Sequence, residues 1–439
     1  MKLSYRQNLV EESAGAPPGI EQENYRAKRK SLWSNKHIAS LIVAVGISYL
    51  GFGLVSPLRT LYARSEGASG GEVGLMGAAF LFSGFVFLFP FGWLSDRVNR
   101  IHLITGGLVA HLIITILYSM TTNGELFIAL RFVEGISTAA VMPAARATLA
   151  DLIPKGRNGE GFGLMGAALT FGMLGGPPVG TFLAEIFGYT AAYWLAAAMF
   201  LPAIGLVLYA FRNFKPMHLK SHIQPEGPVE AKLVGDTTKA QTPASESLWT
   251  VPIVIGCLFR VAMGIGPGLA ITVWSIYMSD LGFSLVLIGW TYTVYAIPML
   301  LVGPSAGRFS DRYGRLLMMF GGGLVLGLMW VAYGLVTTFI MFVILGIIEG
   351  SLDAVARSAN DGYLADHSPA TKRGKAQGIF NASTQFGSLF GAVTSGFLYE
   401  VDKTLPFIFL GFFQFFLTLV CMVILLLFQR KAANREVTA

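Results

Sequence analysis

An internal repeat constrains this chain more than any other feature. The segment GWLSDRVNR, Gly92 to Arg100, returns as GRFSDRYGR, Gly307 to Arg315, 215 residues further on. The same shift carries Glu134 to Glu349, Asp151 to Asp366, Pro154 to Pro369, Gly163 to Gly378 and Gly172 to Gly387 without an insertion. The chain is therefore two copies of one unit, and whatever fold suits one half must suit the other.

The nature of the unit follows from its apolar runs. Of 439 residues, 54% are hydrophobic and 13% charged, with a mean hydropathy of +0.60; soluble domains carry roughly 25% charged residues. A membrane span needs about 20 apolar residues, and twelve such segments stand in the chain. Six lie near 38–62, 73–94, 101–121, 125–150, 159–187 and 189–211, and six near 250–279, 285–306, 316–337, 338–365, 374–399 and 404–428. The bilayer interior admits backbone only when its polar groups are satisfied within the segment. The expectation is an all-α integral membrane protein with twelve transmembrane helices in two parallel, pseudo-symmetric six-helix bundles. Its parts are a tail over 1–37, bundles over 38–212 and 250–428, a linker over 213–249 and a tail over 429–439.

Lys and Arg are retained on the cytoplasmic side of a membrane. The loops on one side hold Arg97, Arg100, Lys155, Arg157, Arg212, Lys215, Lys220, Arg312, Arg315, Lys372, Arg373 and Lys375. Those on the other hold mainly Glu66, Glu72, Glu125, Asp280, Glu400 and Asp402. Both termini are therefore expected in the cytoplasm, in a multi-pass protein of the plasma (inner) membrane. The first 36 residues lack the apolar core of a cleavable signal peptide and end in a basic cluster of Arg26, Lys28, Arg29 and Lys30. The linker, with Pro216, Pro225, Pro228 and Pro243, is expected to be flexible.

Other chemistries are excluded by pattern. The net charge of +7 is spread over short loops rather than gathered in a patch, so no nucleic-acid partner is expected. Gly161 to Gly166, GFGLMG, has the spacing of a dinucleotide fingerprint but opens a membrane span with no strand before it. No P-loop, HExxH, cysteine pair or hydrolase elbow occurs, so the chain reads as neither an enzyme nor an ATP-driven pump, with no cofactor and no metal site. Cys257 and Cys421 fall in apolar runs and read as small buried hydrophobes. His111 reads as a hydrogen-bonded interior residue.

The repeated motif resembles the G-x-L-[SA]-D-R-x-G-R signature of the major facilitator superfamily, where it joins helices 2 and 3 and again 8 and 9. Its residues here are Gly92, Asp96, Arg97 and Arg100, and Gly307, Asp311, Arg312 and Arg315. The first copy has Asn99 where the second has Gly314, and asparagine tolerates a left-handed turn. In the fifth segment Gly163, Gly172, Gly176, Pro177 and Gly180 resemble the antiporter motif g-x8-G-x3-G-P-x2-G-G, with Thr181 at its last glycine. Glycines at this spacing also allow close helix packing, and the proline allows a bend. In the fourth segment Arg131 to Gly135, RFVEG, resembles the family's R-x-x-x-G signature near the proton pathway, with Glu134 where Gln is usual.

The resemblance implies a two-lobed secondary transporter working by alternating access, with segments 1, 4, 7 and 10 lining a central cavity. Ionisable residues inside spans cost several kcal/mol unless paired or hydrated. Those on the four lining segments are Arg59; Arg131, Glu134 and Arg146; Arg260; and Glu349, Asp353, Arg357 and Asp361. At 1.5 Å per residue Arg260 and Glu349 fall near the midplane, while Arg59 and Glu134 can pair in the outer half and Arg131 can pair with Glu134 along one helix. Three acids and one base recur every four residues in the tenth segment, leaving one acid without a local partner. Glu349 is the first candidate proton carrier, then Asp353, with Glu134 a third. Arg59, Arg131, Arg260, Trp274 and Tyr292 are candidate cavity residues, Trp274 standing where the first copy has Arg59.

The expected activity is proton-coupled export of a small organic compound across the lipid bilayer, by a protein working as a monomer. The alternatives are proton-coupled uptake of an organic anion, suggested by the three arginines, and a transporter-like membrane sensor. On the cytoplasmic side, Arg100 should reach Asp151 and Arg315 should reach Asp366. In the closed state Asp96 should sit at the start of the eleventh helix near Gly374, and Asp311 at the start of the fifth near Gly159. Arg146 and Asp361, opposite charges at repeat-related positions, form a candidate gate across the two lobes.

Overall fold

The computed structural model describes residues 31–154, 157–213, 249–369 and 372–438. The sequence expectations for the first 30 residues and for 214–248 of the linker lie outside the described residues.

Among the described residues twelve long helices follow one another: α1 Lys36–Ser65, α2 Gly70–Ser95, α3 Arg100–Met120, α4 Gly124–Leu152, α5 Asn158–Phe187, α6 Tyr189–Phe211, α7 Val251–Asp280, α8 Leu285–Tyr313, α9 Arg315–Leu335, α10 Phe339–His367, α11 Arg373–Val401 and α12 Leu405–Thr438. Eleven of them are long and apolar enough to cross a membrane, taking α8 over Leu285–Gly303 and α12 over Leu405–Lys431. The twelfth, α11, is of spanning length at 29 residues but is diluted by polar residues such as Arg373, Lys375 and Gln377. The last helix does not stop near 428, as the sequence suggests, but runs on to Thr438.

The repeat governs irregularities as well as helices. Pro57 lacks the amide a helix needs, and α1 breaks at Val55 to Pro57 between Lys36–Leu54 and Leu58–Ser65. Shifted by 215, Val55 is Ala270, and there α7 makes a π-helical turn over Ala270–Trp274. The motif turns differ. Gly314 has φ +97, whereas Asn99 keeps φ −62 and accepts a hydrogen bond from Ile101 N at 3.0 Å through its side chain. The left-handed turn expected for Asn99 does not form, because capping α3 satisfies an orphan amide in ordinary backbone geometry.

We call the face carrying the two Asp-Arg motifs the motif end and the other the far end. Each lobe has its own core at the motif end, around Leu41, Leu149 and Val207 in one and Phe259, Phe320 and Leu425 in the other. At the far end a single core runs through both, joining Tyr62, Phe127 and Tyr193 to Trp274, Tyr333 and Phe407. The lobes thus meet at the far end and part at the motif end.

Two repeat-related seams close the far end. A Cβ added at Gly74 of α2 would meet Gly396 Cα at 2.8 Å and Ala392 O at 3.3 Å on α11. Its counterpart Gly289 of α8 lies equally close to Pro177 and Thr181 on α5. These six positions map onto one another in three pairs under the 215-residue shift, so the molecule carries an approximate two-fold axis along the helix direction.

Candidate functional site

Between the lobes lies a cavity of about 460 Å³. Its wall is mostly aromatic and apolar, with Phe52, Phe80, Trp274, Tyr292, Tyr295 and Trp330 prominent, and it reaches Glu349, Asp353 and Arg357. His111 also faces it, stacked on Phe200 and 3.4 Å from Thr138 Oγ1. Trp274, re-aimed by the π-helical turn, donates from Nε1 to Thr291 Oγ1 at 2.9 Å. Tyr292 Oη and Ser275 Oγ share a hydrogen bond of 2.9 Å.

In the first lobe Glu134 is clamped by two cations. Arg59 Nη2 donates to its Oε1 at 2.5 Å and Arg131 Nη1 to its Oε2 at 3.0 Å. The two guanidinium groups lie over the rings of Phe52 at 4.3 Å and Phe80 at 4.4 Å. All three charged residues are buried, at 4%, 3% and 2% exposure. A buried triad with both carboxylate oxygens engaged is a fixed structural unit. This corrects one expectation, since Arg59 and Arg131 do not line the cavity; both oxygens of Glu134, the third candidate proton carrier, are engaged by cations.

The second lobe distributes its charges differently. Asp353 accepts from Arg357 Nε at 2.7 and 2.8 Å and from Tyr295 Oη at 2.7 Å. Arg260 donates to Asn360 Oδ1 at 2.5 Å and is ion-paired to Asp361. The expectation that Arg260 faces the midplane cavity is therefore corrected, since its head is drawn along α7 towards Asp361. Arg357 lies one turn from both Asp353 and Asp361 and pairs with Asp353. Glu349 is the remaining acid, half-buried on the cavity wall, and its carboxylate accepts from Tyr333 Oη at 2.8 Å. Among the described residues no ion pair includes it.

Tyr333 was not singled out by sequence reasoning, although the repeat could have found it: shifted back by 215 it is Tyr118, which lies buried beside Phe127 and Tyr193. Among the described residues Tyr118 Oη has no hydrogen-bond partner, and the arginines occupy both oxygens of Glu134.

The glycines of α5 serve α1. Cβ atoms at Gly172 and Gly176 would meet Leu50 N and Gly53 C, each at 2.6 Å, and Gly180 abuts Leu54, while Gly163 has open space. Gly387 and Gly391 of α11 press on Val261 and Ile265 of α7 in the same way. Close packing therefore accounts for the spacing of these glycines in both copies. Pro177 and Thr181 face the other side, towards Gly289 of α8, and Thr181 Oγ1 is satisfied by Pro177 O at 2.8 Å.

At the motif end Arg100 is ion-paired to Asp151, and Arg315 reaches Asp366 at 2.5 Å. Asp96 and Asp311 turn to Arg100 at 3.5 Å and Arg315 at 2.9 Å within their own lobes. Arg97 stacks over Trp93 at 3.9 Å and Arg312 lies over Tyr313 at 5.6 Å. Among the described residues neither aspartate caps a helix of the opposite lobe: their side chains are 68% and 60% exposed, and the space beside Gly159 is open. The Arg146–Asp361 gate is likewise absent from this conformation. Arg146 is exposed and Asp361 is paired with Arg260, because the lobes stand apart at this end.

Comparison with known proteins agrees with this geometry. The family profile of the Major Facilitator Superfamily matches residues 41–271 and 256–439. The chain is 24% identical over 373 residues to an uncharacterized MFS-type transporter of Methanocaldococcus jannaschii, covering 83% of this chain and 92% of that one. It is 24% identical over 398 residues to multidrug resistance protein 2 of Bacillus subtilis, covering 88% and 94%. Among solved structures, a bacterial homolog of the human lysosomal transporter Spinster, in an inward-facing and occupied conformation, superposes with a TM-score of 0.69. That likeness has 12% identity and spans 92% of this chain and 98% of that one.

Proposed function

Because the chain belongs to the major facilitator superfamily and is a multi-pass secondary transporter, not an enzyme, we propose that it exports a small organic compound in exchange for protons. The motif end is cytoplasmic, following its Lys and Arg, so the conformation described here opens inward. The protein works as a monomer in the plasma membrane, with both termini inside.

One observation carries the coupling: Glu349 stands on the cavity wall with a tyrosine for a partner and, among the described residues, no ion pair, while Glu134, its repeat twin, is held by two cations. A carboxylate that can gain and lose a proton where substrate binds lets protonation compete with substrate, which is what exchange requires. The acids of α10 divide the roles: Asp353 stays paired with Arg357 and Asp361 with Arg260. The aromatic wall suits a compound with a large apolar surface. The similarity to a protein named for multidrug resistance favours export. The alternative of anion uptake loses its support, because Arg59, Arg131 and Arg260 are consumed in ion pairs away from the cavity.

The test is an imposed pH gradient on inside-out vesicles, with proton movement recorded as candidate hydrophobic compounds are added. Substrate-induced proton efflux from the acidified lumen is expected. Flux of a compound with no accompanying proton movement would remove the coupling, and an absence of flux for every compound under any gradient would favour a sensor.

A further inference from the structure

We infer that the far end is held shut by a repeat-related pair of carboxylate latches, Glu185 of α5 bonding to the first turn of α8 and Glu400 of α11 bonding to the first turn of α2, which must release before the cavity opens there. Glu185, near the end of α5, accepts from Val286 N at 2.8 Å. Glu400, near the end of α11, accepts from Gly71 N at 2.8 Å. Both bonds cross between the lobes. Shifted by 215, Glu185 becomes Glu400 and Gly71 becomes Val286, so the two bonds are copies of one device.

The chemistry explains the placement. The first amides of a helix have no intrahelical acceptor, and the partial positive charge there favours an anion. Each latch reaches the second residue of its helix, beside the seams where Gly74 meets Gly396 and Gly289 meets Thr181. Helix ends approach closely enough for the bond only while the lobes are shut at this end. The bonds therefore favour this state over one open at the far end by their differential energy.

The two copies are not equal. At α2, Ser69 and Glu72 form a capping box, with Ser69 N donating to Glu72 Oε2 at 2.7 Å, so a second carboxylate already sits beside Glu400. At α8 the cap is Ser284, but Leu287 stands where Glu72 does, and the first turn contains no acid. Glu185 is thus the carboxylate that complements this helix end, and it forms the stronger latch.

Double electron–electron resonance on the full chain, with Cys257→Ser and Cys421→Ser, tests this without any substrate or gradient. Spin labels at Met120→Cys and Leu335→Cys report across the far end; both positions are exposed ends of repeat-related helices. Glu185→Gln is expected to raise the ratio of long to short distances about tenfold and Glu400→Gln about threefold, since charge-assisted bonds are roughly twice as strong as neutral ones. The double variant should show about the product. Leu287→Glu supplies α8 with the capping box that α2 has and leaves both latch residues in place. It should reduce the effect of Glu185→Gln to that of Glu400→Gln, and it strengthens rather than weakens the helix end. A double variant with wild-type distances, or a Leu287→Glu protein in which Glu185→Gln still acts tenfold, overturns the proposal while leaving the role of Glu349 as it was.

Discussion

Glu134 and Glu349 occupy the same position in the two copies, each on the fourth helix of its lobe, and each lies beside the equivalent tyrosine. Around Glu134 the sequence places Arg59 and Arg131; around Glu349 the same two positions hold Trp274 and Gly346. The first glutamate becomes the centre of a buried ion triad and the second an acid open to the cavity. Duplication produced one scaffold, and the difference of two cations leaves one glutamate enclosed by arginines and the other paired with a tyrosine at the cavity. The cavity follows the same division, since its charged residues Glu349, Asp353 and Arg357 all belong to α10.

The comparison breaks most visibly at Glu349. Glu349→Gln keeps the shape and the Tyr333 contact but cannot exchange a proton, so gradient-driven transport in proteoliposomes should fall to background. Equilibrium binding of the transported compound should persist and lose its pH dependence. Transport at the wild-type rate in this variant would move the proton to another group and end the functional contrast between the lobes.

Glu134→Gln should act on folding instead. Removing one partner of a buried ion network leaves uncompensated charge and costs about 3–5 kcal/mol, here shared between two arginines stacked on Phe52 and Phe80. Thermal unfolding in detergent should show a marked loss for Glu134→Gln and a small one for Glu349→Gln. Equal melting of the two variants would mean the triad is not the structural unit described.

The tyrosine pair gives the smallest and sharpest reading. Tyr333→Phe removes a satisfied hydrogen bond and should cost about 1 kcal/mol. Tyr118→Phe removes a buried hydroxyl that has no partner among the described residues, so unfolding stability should be unchanged or rise by up to about 1 kcal/mol, because an unsatisfied buried group is removed. A larger loss at Tyr118 than at Tyr333 would reverse the assignment of which glutamate is already satisfied.

Much was determined by sequence alone, because burial in a bilayer and duplication both leave one-dimensional traces. Twelve apolar runs, the two Asp-Arg motifs and their ties to Asp151 and Asp366 follow from spacing, loop charge and the 215-residue shift. So does the pairing of Arg59 with Glu134, since two charges at similar depth in a lipid environment need each other. Which acid keeps no cation was left between Glu349 and Asp353 on α10, because Arg357 lies within one turn of both Asp353 and Asp361. Only the tertiary structure decided it, by bringing Arg260 of α7 to Asp361 and leaving Arg357 to Asp353. Arg146 and Asp361 show the same limit: opposite charge at related positions marks possible partners, but the lobe separation decides whether they meet. Glu185 and Glu400 carried no signal as single residues. Their partners are backbone amides on the other lobe, and a backbone amide has no identity in a sequence until the helices are placed.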